Sequence, residues 1–315
     1  MLDATGFSLL NAWQRGFPLL LRPYAEIAKS GALDEAEVIA RFGQLKSQGL
    51  IDRIGPVFRP NTLGASTLAA MAVPAERLDS VALQVSSHAG VNHNYEREGG
   101  YNLWFVAAAP TAAALQDLLS CIERETGLKV LRLPLLEEFH IDLGFDLQDH
   151  SAPRAPPRGP LVPLSGPQQL LAARLAAGLP LTPRPFADFD LPEAEVIGAL
   201  ELWLAAGVVR RIGAIVRHRR LGYEANAMVV WDVPDEDAGD AGGRLAADAA
   251  VTLCYRRARA LPDWPYNLYC MVHGREQARV TQAIERLCAQ HGLAAFPHAV
   301  LFSKRCYSQR AAHYG

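Results

Sequence analysis

What this chain lacks narrows its class before any motif is considered. No apolar run reaches the roughly 20 residues that a membrane span needs, so no spanning segment is expected. Met1-Leu2-Asp3-Ala4-Thr5 carries no basic segment ahead of a long apolar core, so no secretory signal is expected either. Net charge is scarce: 31 Lys and Arg stand against 33 Asp and Glu, a formal −2. Bulk charge therefore argues neither for nor against a nucleic-acid partner. The five cysteines, at 121, 254, 270, 288 and 306, form no CxxC pair. An odd, scattered set points to reduced thiols and a cytoplasmic location, and it offers no zinc-ligand spacing.

What the chain has is duplication. Leu33-Asp34-Glu35-Ala36-Glu37-Val38-Ile39 returns as Leu191-Pro192-Glu193-Ala194-Glu195-Val196-Ile197, Arg53-Ile54-Gly55 as Arg211-Ile212-Gly213, and Leu63-Gly64 as Leu221-Gly222, all 158 positions on. Tyr101-Asn102-Leu103 returns as Tyr266-Asn267-Leu268, 165 positions on. Half of the 315 residues are hydrophobic, enough for a core in each copy. Six prolines fall within Ser151–Pro167, which reads as an extended linker. The first half is then residues 1–150, divided near 64/65. The second is 168–315, divided near 222/223.

Both halves read alike. A helix (Ser8–Gly16; Gln168–Gly178) leads through a proline-bearing link to a short second helix, clearer in the first half. Asp34–Gln48 follows, with Val38, Phe42 and Leu45 on one face, and Gly49 ends it. Strand Ile51–Phe58 then hairpins toward Leu63, completing a winged helix-turn-helix. Ser66–Val73, Ala75–Ser86, Val91–Tyr95, Leu103–Ala108, Ala112–Thr126 and Val130–Leu136 alternate as β-α-β-β-α-β. So do Ala225–Val233, Asp240–Ala249, Val251–Tyr255, Leu268–Val272, Arg275–His291 and Ala299–Ser303. That order is ferredoxin-like. The expected fold class is α+β: two tandem repeats, each a winged helix-turn-helix followed by a ferredoxin-like βαββαβ domain.

The chemistry concentrates in Asn92-His93-Asn94-Tyr95-Glu96-Arg97. Alternate strand residues share a face, so His93, Tyr95 and Arg97 should point together. An imidazole titrates near neutrality and can hand over a proton. A guanidinium can hold a carboxylate. The bland alternative is an exposed strand end with ordinary polar residues. In the second copy Tyr255 and Arg257 answer Tyr95 and Arg97, but Leu253 stands where His93 does. One catalytic copy and one supporting copy is the simplest functional account. The second copy also carries five extra residues before Tyr266, giving the rigid loop Leu261-Pro262-Asp263-Trp264-Pro265.

A winged helix-turn-helix ahead of a ferredoxin-like domain resembles the Lrp/AsnC family of transcription regulators. The helix expected to read DNA begins with carboxylates in both copies (Glu35 and Glu37; Glu193 and Glu195), which a polyanion repels. Against that stands Arg210–Arg220, where six of eleven residues are Arg or His. That segment fits a solvated wing, nucleic-acid phosphate, or a small ligand with several carboxylates.

His93-Asn94-Tyr95-Glu96-Arg97, Tyr101-Asn102-Leu103-Trp104-Phe105 and Phe139-His140-Ile141-Asp142-Leu143-Gly144-Phe145 resemble the D-type subunit of the siroheme decarboxylases. Ser303-Lys304-Arg305-Cys306-Tyr307-Ser308-Gln309-Arg310 resembles the tail of the L-type subunit. The whole chain is similar to the fused D–L siroheme decarboxylases of heme d1 biosynthesis, a family built on Lrp/AsnC architecture. The resemblance implies loss of CO₂ from the C12 and C18 acetates of siroheme, an iron isobacteriochlorin with eight carboxylates, giving 12,18-didecarboxysiroheme. It implies no cofactor beyond the substrate's own iron tetrapyrrole, with the protonated pyrrole as electron sink.

On this basis His93 is the expected proton donor, with axial contact to the substrate's iron as its competing role. Tyr95 would hydrogen-bond the substrate and Arg97 would hold a carboxylate. Tyr255, Arg256, Arg257, Lys304 and Arg305 would bind the remaining acetates and propionates. The D-like and L-like halves are expected to pair within the chain, with exposed sheet edges open to further association. His140 and Cys254 read as structural, with a catalytic role as the alternative for His140 and an iron thiolate for Cys254. Trp13, Trp104, Trp203 and Trp231 read as core, and Trp264 as a candidate platform for a macrocycle. Two other functions fit: a heme- or siroheme-binding sensor that releases no CO₂, and an Lrp/AsnC-type DNA-binding regulator.

Overall fold

A computed structural model describes residues 2–31, 33–141, 144, 147 and 163–310. The first half opens with α1 (Ala4–Ala12), α2 (Pro23–Gly31) and α3 (Glu35–Ser47). Asp3 and Asp34 cap α1 and α3 by accepting the backbone N–H of Gly6 and Glu37, each at 2.7 Å, so donors that a helix start leaves open are satisfied. Then come β1 (Ile51–Phe58), β2 (Ala65–Met71), α4 (Leu78–Ser87), β3 (Val91–Arg97), β4 (Leu103–Ala109), α5 (Ala112–Thr126), β5 (Leu131–Leu133) and β6 (Leu135–Ile141). The second half contributes α6 (Gly166–Ala176), α7 (Glu193–Ala205), β7 (Val209–Val216), β8 (Ala225–Trp231), α8 (Ala238–Ala246), β9 (Val251–Arg257), β10 (Leu268–Gly274), α9 (Gln277–Gln290) and β11 (His298–Gln309).

This is the expected α+β duplication, with two differences in element content. The second half has no counterpart of α2: six residues separate Pro185 from Pro192, and residues 181–191 form turns and bends. A residue before proline is disfavoured in the helical region, so that short stretch cannot wind up. The last strand, expected as Ala299–Ser303, runs on to Gln309. Residues 151–162 of the expected linker lie outside the described residues, as do Asp142, Leu143 and Phe145. Among the described residues no helix is long and apolar enough to cross a membrane.

In space the chain groups by kind rather than by half. Of the described residues, one compact unit takes 2–31, 33–63, 144, 147 and 163–221; the other takes 64–141 and 222–310. In the helix-turn-helix unit the wings are not hairpins. β1 pairs antiparallel with β7, Gly55 opposite Gly213, so each half supplies the other's missing strand. The repeated Arg-Ile-Gly marks where the other half's first helix leaves across the pair. Ala214 donates its N–H to Trp13 at 2.8 Å, and Leu179 donates to Ile54 at 2.7 Å. A Cβ on Gly213 would collide with the Trp13 and Gln14 backbone, and one on Gly55 would lie 3.3 Å from the Leu175 carbonyl oxygen. Glycine is what the close approach requires. The basic segment is drawn into the same unit: buried Arg211 donates to the Gln14 carbonyl, and Arg217 donates to Asp52 at 2.7 Å.

In the other unit each half forms the ferredoxin-like order, β5-β2-β4-β3 and β11-β8-β10-β9. The two halves then exchange their last strands. β11 runs past β8 to pair with β3, and β6 pairs with β9. Only Pro134 separates β5 from β6, so the ends of the strand order meet and the sheet returns on itself. Two cores lie under the helices, one per half. A third, on the inner face, draws Leu68, Trp104, Leu133, Met228, Tyr269 and Leu301 from both halves. The repeated Tyr-Asn-Leu belongs to this scaffold. Asn102 accepts from the Val73 N–H at 2.9 Å and donates to its carbonyl at 2.8 Å; Asn267 does the same to Val233 at 3.0 and 2.9 Å.

Gly213→Ala should destabilise the chain by about 1–3 kcal/mol through overpacking. A Cβ on Gly243, inside α8, meets nothing within 4 Å. Gly243→Ala should therefore be neutral or stabilising by up to about 1 kcal/mol. Urea midpoints at constant m-value separate the two.

Candidate active site

Strand β3 is oriented by Asn94, whose side-chain amide donates to the Ala82 carbonyl at 2.9 Å and to Ser86 Oγ at 3.0 Å on α4. With Asn94 fixed toward the helices, alternation turns His93, Tyr95 and Arg97 to the inner face. The His93 and Tyr95 rings lie nearly parallel, 12° apart in plane and 6.3 Å between centroids. The Arg97 guanidinium carbon is 5.7 Å from the Tyr95 ring centroid, within the range of a cation–π contact. Arg97 is only 6% exposed and donates through Nη1 to the Leu301 carbonyl at 3.0 Å. The three expected residues therefore form one row, imidazole to phenol to guanidinium.

The flanks of this row come from two strands. Trp104 and Val106 of β4 lie opposite Tyr95 and His93 on one side. Cys306 and Gln309 of β11 lie opposite the same two residues on the other. Cys306 and Gln309 have no local spacing signal, because a strand from the far end of the chain brings them in.

The second copy repeats the scaffold and closes it. Arg257 donates to the Leu133 carbonyl at 2.7 Å and lies 4.5 Å over the Tyr255 ring. These are the contacts Arg97 makes with Leu301 and Tyr95. The differences lie around them. Leu253 and Ile141 pack on the inner core where His93 and Gln309 stand in the first copy. Glu138 lies opposite Tyr255, in the place of Cys306. Tyr255 stacks on Tyr269 at 5.7 Å. The inserted loop folds inward: Trp264, 7% exposed, donates to the Tyr269 hydroxyl at 2.8 Å and meets the Trp104 ring at 5.1 Å. Burial pushes the Tyr269 phenol well above its usual range, although the Trp264 hydrogen bond opposes it.

Several expectations need correcting. Trp264 is not an open stacking platform, because Trp104, Tyr101, Tyr266 and Tyr269 surround it. Arg256 alternates away from Tyr255 and donates to Asp235 at 2.8 Å. Arg305 lies beyond a break in the β11 register and donates to Asp79, in the first turn of α4, at 2.8 Å. Neither joins the inner face. Lys304 is exposed, between Ser303, opposite Arg97, and Arg305, opposite Glu96. Cys254 is fully buried toward α8, with Sγ 3.5 Å from the Gly242 carbonyl, and burial raises its thiol far above the usual range. His140 is buried in β6. Among the described residues no group of three or more His, Cys, Asp or Glu is placed to hold a metal.

Comparison with known proteins follows this layout. A family model of the AsnC-like ligand-binding domain matches residues 62–140 and 220–308, and a siroheme decarboxylase NirDL-like HTH domain matches 8–51. The chain is 46% identical to the siroheme decarboxylase NirDL subunit of Paracoccus pantotrophus, across 99% of this chain and 97% of that one. It is 30% identical to the siroheme decarboxylase of Hydrogenobacter thermophilus, across 94% and 91%. It is also similar to the crystal structure of the siroheme decarboxylase NirDL in co-complex with an iron-uroporphyrin III analogue. There the TM-score is 0.69 and the identity 26%, across 98% of this chain and 93% of that chain.

Tyr24 and Tyr269 stay neutral in the folded chain to well above the usual phenol range, chiefly through burial. The unfolded chain releases these protons near pH 10. Their contribution is therefore present below pH 10 and is lost as pH rises toward the folded values. Urea midpoints at pH 8 and 10.5 should show the fall, and Tyr269→Phe should make it shallower.

Proposed function

The chain belongs to the siroheme decarboxylase family, and from that premise we propose that it converts siroheme to 12,18-didecarboxysiroheme at the His93–Tyr95–Arg97 face. The observation that carries the choice of face is the asymmetry of the duplication. Both copies keep the phenol and the guanidinium, but only the first places an imidazole beside them. The second is filled by Leu253, Ile141 and the Trp264 loop, and it carries the Glu138 carboxylate.

Loss of CO₂ breaks the bond between an acetate methylene and its carboxylate. The electron pair stays on the methylene carbon, drawn into the macrocycle through a protonated pyrrole, and a proton completes the methyl group. One carboxylate and one proton thus become one CO₂ and one methyl, with no net redox change. His93, half-buried on the row, supplies the proton and can recover it from solvent. Arg97 holds a carboxylate and is itself held by the Leu301 carbonyl, so the pair forms with little rearrangement. Tyr95, between them, offers a phenolic hydrogen bond. The reacting acetate must lose its water, which favours its collapse to CO₂, while the carboxylate on Arg97 is one of those that stay paired. The iron tetrapyrrole is the substrate's own, and the reaction as written draws on no other cofactor.

Of the outlying cations, Arg256 and Arg305 serve Asp235 and Asp79 rather than the substrate. The helix-turn-helix unit is read as scaffold. Its wings are spent on each other, Arg211 and Arg217 are engaged within it, and α3 and α7 begin with Glu35 and Glu193, each held by an arginine.

The test is anaerobic incubation of the full chain with siroheme, read by mass spectrometry. Two CO₂ should be lost. His93→Ala should slow both losses by at least about 100-fold while the siroheme absorption shift on binding persists. Unchanged turnover in His93→Ala would remove this residue from the mechanism. Loss of one CO₂ alone by His93→Ala would show that the second face turns over an acetate, whereas loss of one alone by the unaltered chain would point to a single competent site or a missing partner. Binding without any CO₂ release by the unaltered chain would favour a tetrapyrrole sensor.

A further inference from the structure

On the helix side of the second-half sheet, away from His93, a cavity of about 500 Å³ lies between α9 and the first part of β11. Thr281, Glu285 and Cys288 of α9, Val300 of β11 and Glu98 after β3 line it. The first half shows what fills the equivalent place. The core stripe Leu115, Leu119, Ile122 of α5 matches Val280, Ile284, Leu287 of α9, 165 positions on. Gln116, Ser120 and Glu123 are therefore the counterparts of Thr281, Glu285 and Cys288. In the strands, Arg132 lies opposite Ala69, the fifth residue of β2, and Val300 lies opposite Val229, the fifth residue of β8. Val300 thus stands where Arg132 does.

In the first half the Arg132 guanidinium spans the groove, donating to Gln116, to Ser120 Oγ at 3.1 Å and to Glu123 Oε2 at 2.8 Å. In the second half valine cannot reach across. The same three helix positions line open space, with Glu285 and Glu98 on the wall. Neither glutamate makes an ion pair among the described residues.

We propose that this cavity binds a small organic cation with a guanidinium head, seated where the chain's own arginine sits in the first half. A planar fork of N–H donors matches a carboxylate better than a compact ammonium does. The floor of Ile284, Val300 and Phe302 suits an apolar stem, and the volume lies in the range of small-molecule sites. Two carboxylates repel a polyanion, so this is not a second seat for the decarboxylase substrate. The site also touches the reacting face from behind. Glu98 follows Arg97 directly and donates its N–H to the Phe302 carbonyl at 3.0 Å, beside the Leu301 carbonyl that holds Arg97.

The experiment is calorimetric titration of the full chain with agmatine, and with putrescine as a diamine without the planar fork. Agmatine should bind saturably at one site per chain, at least ten-fold tighter than putrescine. Val300→Arg, which places an arginine in the groove as Arg132 is placed in the first half, should weaken agmatine at least ten-fold while siroheme decarboxylation continues. Glu285→Gln should weaken it as well, and it decides the matter should Val300→Arg fail to fold. No saturable binding, equal affinity for putrescine, or agmatine affinity unchanged in the variants would each overturn the proposal. Binding is read without siroheme, so its failure is distinct from failure of the decarboxylase assignment.

Discussion

The structure depends on strand exchange. Taken alone, each ferredoxin-like half ends in an edge strand, β3 or β9, whose backbone donors and acceptors would lie open. Each edge is covered by the other half's last strand, β11 or β6. That pairing supplies backbone hydrogen bonds, and it also sets what stands beside the row of functional side chains. Tyr95 and His93 have Cys306 and Gln309 as neighbours because β11 continues past its own sheet. The helix-turn-helix unit applies the same solution with β1 and β7, where two glycines let the helix exits cross the strand pair.

On this shared scaffold the two copies have diverged by substitution at matched positions. Each arginine on the inner face is anchored twice, to a carbonyl of the facing half's strand and to the ring beside it. What changes is the company. Imidazole becomes Leu253, thiol becomes Glu138, and an inward loop adds Trp264. The exchange therefore turns a symmetric frame into one face with acid–base capacity and one face that is packed. On the helix side the bias runs the other way: the first half fills its groove with Arg132, and the second leaves it open.

Much of this was legible in the sequence. The repeats located both copies, the apolar spacing found α3, and α5 fell on its expected bounds. Alternation along β3 brought His93, Tyr95 and Arg97 together, since facing is a local property of a strand. Partnership is not local. Periodicity defines a strand without naming its neighbour, so β1 read as half of a hairpin and β11 ended too early. The misplaced cations have separate reasons. The side of Arg256 follows from alternation with Tyr255. That of Arg305 does not, because the register of β11 shifts between Ser303 and Arg305 and bulges defeat counting. Trp264 looked available because a loop suggests exposure, whereas its indole N–H had a buried hydroxyl to reach.

The exchange has an evolutionary corollary. A substitution in the second part of β11, from Ser303 to Gln309, alters the far half's reaction face rather than its own. Neither copy can drift on its own, and selection on one is felt in the other. Carrying both on a single polypeptide fixes their ratio at synthesis, so no half is made without the strand that completes it.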